Sequence, residues 1–420
     1  MLAVHWVSLD HILMLNNTLS SSEKTNKACC YAFFILFFLS IALPGNIFQK
    51  IALIGIPAFI LGINNLTFIF NEFASLKNTK KLNANFIYIL PIIFGLIFFA
   101  LSGFKELYLA SFLGIFSSTL LIVSLPHKNH LNDIANVWLI IGIINTVGIL
   151  FGLVEKHFLA SSYFIEVLLN SPYSGETKTS ISGFLYNYNQ AAYFQVCSIA
   201  LIKFQNIFSE KKASIILIAL LISLMLTTSK FALLFICSLV IITLFRKNNK
   251  IILPVLLVGL FSSYIFLTNI IVALPGSYSI PSHHFRQLLF SLFGYDFVLG
   301  TYGHFKVTTF NFIFWNKFYP FGMGEFVNQT GFVPHNMIGG NMLAGGYFLT
   351  ISLGLIILKT LKSVLIAPCQ FLNHYYLTAL LVFIVETVNW DFSHALYFWI
   401  LVLLIPSIKK PLKQANYFKE

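Results

Sequence analysis

Four stretches of this sequence concentrate side chains able to bind an anion or move a proton. The first, Gly183 to Gln190 (GFLYNYNQ), holds Asn187 and Asn189 two residues apart. Carboxamides so placed can orient a polar ligand, or cap the N-terminus of a helix at a membrane interface. The second, Thr227-Thr228-Ser229-Lys230-Phe231, sets a cation after three hydroxyls. That set can hold a phosphate, and it equally suits a lysine snorkelling from a turn. The third runs from Pro281 through His283, His284 and Arg286, then Gly303-His304-Phe305-Lys306, to the bend Pro320-Phe321-Gly322-Met323-Gly324. Arg286 is one of two arginines in the chain, and its planar fork suits an anionic ligand. No acidic or cysteine residue stands at a ligand spacing from the paired histidines, so no metal site and no cofactor is expected. The fourth is His335-Asn336, which follows Pro334 and precedes a small-residue stretch, Gly339, Gly340, Ala344, Gly345 and Gly346. Histidine exchanges a proton near neutral pH, and asparagine can orient it or bind a sugar hydroxyl.

The elements that must position these residues are dictated by composition. The chain has 420 residues, of which 58% are hydrophobic and 10% charged, and its mean hydropathy is +0.83. Soluble proteins carry about 25% charged residues, which excludes an ordinary soluble enzyme. Apolar runs long enough to cross about 30 Å of hydrocarbon fall near 28–44, 48–70, 85–101, 106–124, 136–153, 189–206, 213–228, 231–245, 251–272, 346–364, 374–389 and 394–408. The expected fold is therefore all-α, a polytopic integral membrane bundle of about twelve transmembrane helices. Period-two alternation is absent, which argues against a barrel. The five cysteines show no CxxC spacing and are read as packing residues.

Charge sets the orientation. Lys77, Lys80 and Lys81, Lys203, Lys211 and Lys212, Arg246, Lys247 and Lys250, Lys359 and Lys362, and Lys409, Lys410 and Lys413 all fall on one side of a twelve-span chain. By the positive-inside rule that side is the cytoplasm, and both termini lie there. The formal charge of +12 is dispersed among these loops and needs no nucleic-acid partner. The expected organisation is a cytoplasmic segment 1–27, spans over 28–153, an outer loop 154–188, spans over 189–272, a large outer loop 273–345, spans over 346–408 and a cytoplasmic tail 409–420. All four polar stretches then meet the outer face. Glu386 and Asp391, at the outer end of the eleventh span, are possible carboxylate bases.

Gly183-x3-Asn187-Tyr188-Asn189, then Thr228-Ser229-Lys230 between two spans, then Pro320-x-Gly322-x-Gly324, then His335-Asn336-x9-Gly346 occur in an order that resembles the O-antigen ligase and O-antigen polymerase superfamily. The resemblance covers roughly residues 175–360. It implies a helical, metal-independent glycosyltransferase of the bacterial inner membrane, taking a glycan from undecaprenyl pyrophosphate at the periplasmic face. A ligase would pass that glycan to the lipid A core oligosaccharide, and a polymerase to another lipid-linked repeat unit. Tyr188 stands where the family has proline between the asparagines, and Ser229-Lys230 where it has Ser-Arg. Lys178 is the nearest cation to the arginine expected before Gly183. Lys306 falls nearest to the loop arginine, with Arg286 as its competitor.

On this resemblance Lys306 or Arg286, helped by Lys178 and Lys230, would neutralise the departing pyrophosphate. His335 would act as base or as a pyrophosphate ligand. Asn336, Asn187 and Asn189 would orient the sugar or the loop, with Ser229, Gly322 and Gly324 shaping the site. The competing class is a lipid-linked oligosaccharide transporter, which would place charge near the membrane midplane.

Overall fold

The computed structural model describes residues 21–42, 90, 93–94, 97, 130–159, 161–168, 178–185, 187–244, 337–366, 373–386, 397, 400–402 and 404–405. These residues are mostly helical (85%). The helices are α1 (Ser21–Ala42), α2 (His130–Phe158), α3 (Tyr188–Leu201), α4 (Glu210–Leu226), α5 (Lys230–Leu244), α6 (Met337–Ile366) and α7 (His374–Glu386). A 3-10 turn, Ile202–Phe204, follows α3, and strands β1 (Ile165–Leu168) and β2 (Lys178–Ile181) lie between α2 and α3. Among the described residues one helix, Leu131–Phe158, is long and apolar enough to cross a membrane. The segments 48–70, 106–124 and 251–272, expected as spans, lie outside the described residues.

The directions of α1 to α5 can be read from polar contacts at their ends. Lys27 pairs with Asp133 at 3.4 Å, so α1 and α2 start at the same end of the bundle. The Asn136 amide donates to Asn206 Oδ1 at 2.7 Å and accepts from Asn206 N at 3.1 Å, which returns the exit of α3 to that end. Consequently α3 runs antiparallel to α2. The turn between α4 and α5 sits at the opposite end, beside the start of α3.

Aromatic rings fill the centre. Trp138 lies 4.8 Å from Phe194 and 5.6 Å from Phe34, centroid to centroid, and Phe37 lies 5.4 Å from Tyr397. Edge-on and tilted packing of this kind adds roughly 0.5–1.5 kcal/mol per pair beyond area burial. Small residues let backbones approach. An added Cβ at Gly142 would stand 2.4 Å from Ser198 Oγ, and one at Gly148 2.6 Å from Phe184 Cδ2. Close contact through small side chains is how helices associate where lipid competes for every apolar face.

Outward, exposed apolar residues form stripes at three- and four-residue spacing. They are Ile140, Ile144, Val147, Phe151, Val154 and Phe158 on α2, Ile215, Ile218, Ile222 and Met225 on α4, and Phe348, Ile351, Leu355 and Leu358 on α6. Such faces mark contact with something other than water.

Three features depart from the sequence expectation. The chain is not purely helical, because β1 and β2 pair antiparallel in the register Ile165↔Ile181, Glu166↔Ser180, Val167↔Thr179 and Leu168↔Lys178. Four-residue strands are too short for a period-two signal to rise above a span-length window. Second, α1 starts at Ser21 and α2 runs from 130 to 158, beyond the apolar runs 28–44 and 136–153. Hydropathy measures the apolar width, whereas the helix continues until its backbone is capped. Third, α6 starts at Met337, nine residues before the apolar run 346–364. Gly346 instead kinks it, with φ 63° and ψ −163°, a conformation open only to glycine.

Candidate functional site

The site is built at the bundle end where α3 and α5 begin and α4 finishes. Asn187 is extended (φ −134°, ψ 133°) and caps α3, its Oδ1 accepting from Asn189 N at 2.7 Å. Glu166 on β1 accepts the preceding amide, Tyr188 N, through Oε2 at 2.8 Å. Two of the backbone donors left open at the start of α3 are thus satisfied. Freed from capping, the Asn189 side chain turns to the next element. Its Oδ1 accepts from the Ser229 hydroxyl at 2.7 Å, forty residues on, and Ser229 is buried.

The α4–α5 turn is held in an unusual shape. Thr227 N bonds to Leu224 O, Thr228 N bonds to Met225 O, and Thr228 then takes a left-handed φ of 55°. Glycine is the usual residue at such a helix end, and a side chain there costs about 1–2 kcal/mol. The offset comes from β2, where Ser180 Oγ accepts from the Thr228 hydroxyl at 2.9 Å. Ser229 O then accepts Leu233 N to open α5. Lys230 is the first residue of that helix.

Beneath these residues the connection from β2 to α3 lies against α2. Gly183 takes φ 65°, and a Cβ there would stand 2.9 Å from Asn145 Oδ1 and 3.1 Å from Asn145 O. Glu155 anchors the other side of the connection. Its Oε1 accepts Ser161 Oγ at 2.8 Å and Tyr163 N at 3.0 Å, and its Oε2 accepts Phe164 N at 2.6 Å. Phe164 O in turn receives Ser182 N and Gly183 N.

The structure therefore joins the first two of the four polar stretches. Asn187, Asn189, Ser229 and the backbone of Lys230 share one end, and Lys178 opens β2 opposite Leu168 in the adjoining ladder. Glu386 closes α7 one turn beyond Phe383, whose ring lies 4.8 Å from Phe231, so the end of α7 reaches this end too. His335, Asn336, Lys306, Arg286, Gly322, Gly324 and Asp391 lie outside the described residues. Within the described residues no group of three or more His, Cys, Asp or Glu is placed to hold a metal ion.

The sequence reading overlooked Glu166, Ser180, Glu155 and Asn145. The chain has 14 acidic residues in all, so a glutamate inside the loop expected over 154–188 was a usable signal for Glu166. Burial holds its carboxyl above the ordinary carboxylate range, and the Tyr188 N–H only partly offsets this. No family model, no curated protein and no solved structure matches the chain, so its functional reading rests on its own residues and geometry.

Proposed function

We propose that this chain is an O-antigen ligase-like glycosyltransferase that moves a glycan from undecaprenyl pyrophosphate to the lipid A core oligosaccharide at the periplasmic face. In this reading it crosses the bacterial inner membrane about twelve times with both termini cytoplasmic, and the outward apolar stripes of α2, α4 and α6 meet lipid. The observation that carries the reading is the Ser229–Asn189 hydrogen bond. It links two polar stretches of the motif series that are distant in sequence, as a shared site requires.

The chemistry asks for three things. Charge developing on the leaving pyrophosphate must be neutralised, for which Lys178, Lys230, Lys306 and Arg286 are the cations. The sugar must be held, a task for Asn187, Asn189 and Asn336, within a frame set by Ser229, Gly322 and Gly324. A proton must leave the acceptor hydroxyl, with His335, Glu386 and Asp391 as acceptors, or with His335 serving as a further pyrophosphate ligand. No metal or nucleotide sugar enters.

Deleting the gene and resolving surface polysaccharide on a gel tests this. Bare core with polymer retained on undecaprenyl pyrophosphate is the expected result. Core capped by a single repeat unit assigns a polymerase instead, and donor trapped on the cytoplasmic face assigns a transporter. In the same strain His335→Ala should insert normally, lose transfer and accumulate lipid-linked donor; wild-type transfer by that variant overturns the His335 assignment.

A further inference from the structure

Two carboxylates at the bundle end that carries Asn187, Asn189 and Ser229, those of Glu155 and Glu166, are used differently. Glu155 is buried and both its oxygens are occupied, by one hydroxyl and two backbone amides. It is committed to holding the loop that leads into β1. Glu166 is half-buried, with Oε2 fixed by Tyr188 N, while Oε1 takes no partner among the described residues. Its register partner Ser180 is bonded to Thr228, the neighbour of Ser229, which bonds Asn189. One anchored oxygen and one open oxygen is the arrangement of a proton acceptor that must keep a fixed direction.

We infer that Glu166 is the proton acceptor for the hydroxyl that attacks the glycan, an inference that rests on the transfer proposed above. In the step, the acceptor oxygen bonds to the anomeric carbon, and the bond from that carbon to the pyrophosphate oxygen breaks. The electron pair leaves on the pyrophosphate, and the hydroxyl proton passes to Glu166 Oε1, which later releases it to water. Glu386 and Asp391 are then not needed as bases. The raised pKa agrees with this role, because a base closer to neutrality accepts a proton more readily from a sugar hydroxyl.

The bland alternative is that Glu166 only secures the start of α3. Glu166→Gln separates the two, since the amide oxygen can still accept Tyr188 N but cannot take a proton. The assay uses the full-length protein in mixed micelles, with lipid-linked glycan and core lipid extracted from the deletion strain. Wild type should transfer, and Glu166→Gln should lower kcat about 100-fold with little change in KM. Its melting temperature should be equal or higher, and Glu166→Asp should recover part of the rate. Transfer by Glu166→Gln within about threefold of wild type overturns the inference and leaves the proposed function standing. So does a loss of folded protein that matches the loss of rate in both variants, which assigns Glu166 to fold alone. Absence of transfer by wild type overturns the proposed function, and this inference with it.

Discussion

Gly183→Ala tests the construction of the site from its base. The substitution meets two penalties. The first is conformational: at φ 65° a side chain costs about 1–2 kcal/mol. The second is steric, since the new Cβ stands 2.9 Å from Asn145 Oδ1, 3.0 Å from Ile149 Cγ1 and 3.1 Å from Asn145 O. Among the described residues the Asn145 amide has no hydrogen-bond partner to lose and can swing aside, whereas Asn145 O belongs to the backbone of α2 and cannot. Overpacking of this kind costs roughly 1–3 kcal/mol, so the total is about 2–5 kcal/mol. SDS-induced unfolding in mixed micelles, followed by tryptophan fluorescence, measures it. Gly354→Ala is the matched control, because nothing lies within 4 Å of its Cβ. In the interior of α6 that change should stabilise by about 0.5–1 kcal/mol. If Gly183→Ala unfolds at the same SDS fraction as wild type, the packing of the β2–α3 connection on α2 is wrong as described.

Three further outcomes follow from the same geometry. Ser229→Ala removes the donor to Asn189 and should destabilise by about 1 kcal/mol, with a coupling of at least about 0.5 kcal/mol to Asn189→Ala in a double-mutant cycle. Asn145→Leu removes a buried amide whose nitrogen and oxygen both lack partners among the described residues, and should raise stability by about 1 kcal/mol in the SDS assay; a fall instead shows that the amide is satisfied. For Glu166 the folded pKa is raised, so between its unfolded and folded values the native state keeps a proton that the unfolded chain has lost. Stability therefore falls as pH rises through that window. Glu166→Gln should melt higher than wild type near about pH 7, and the difference should vanish below about pH 4, where the glutamate is protonated in both states.

Much of the architecture can be read from the chain without its folded form. Helical character follows from apolar runs too long and too uncharged for anything else, and the positions of α3, α4, α5 and α7 follow those runs closely. Asn187, Asn189 and Ser229 stand out because polar side chains are conspicuous beside apolar spans. Their residue types also limit what they can do, which is to cap, to orient or to bind an anion. Linear spacing does not say which partner each one takes. Asn187 and Ser229 are 42 positions apart, and only the antiparallel return of α3 and the turn from α4 to α5 bring them to one end. The Glu166 carboxylate has no periodicity to announce it, since it lies on a four-residue strand whose register is set by pairing with β2. Nor does the sequence distinguish Glu155 from Glu166, which are eleven residues apart and both fall in the loop expected over 154–188, although Glu155 lies in α2 and Glu166 on β1. The tertiary structure distinguishes them, because among the described residues hydrogen bonds occupy both oxygens of the first and one of the second.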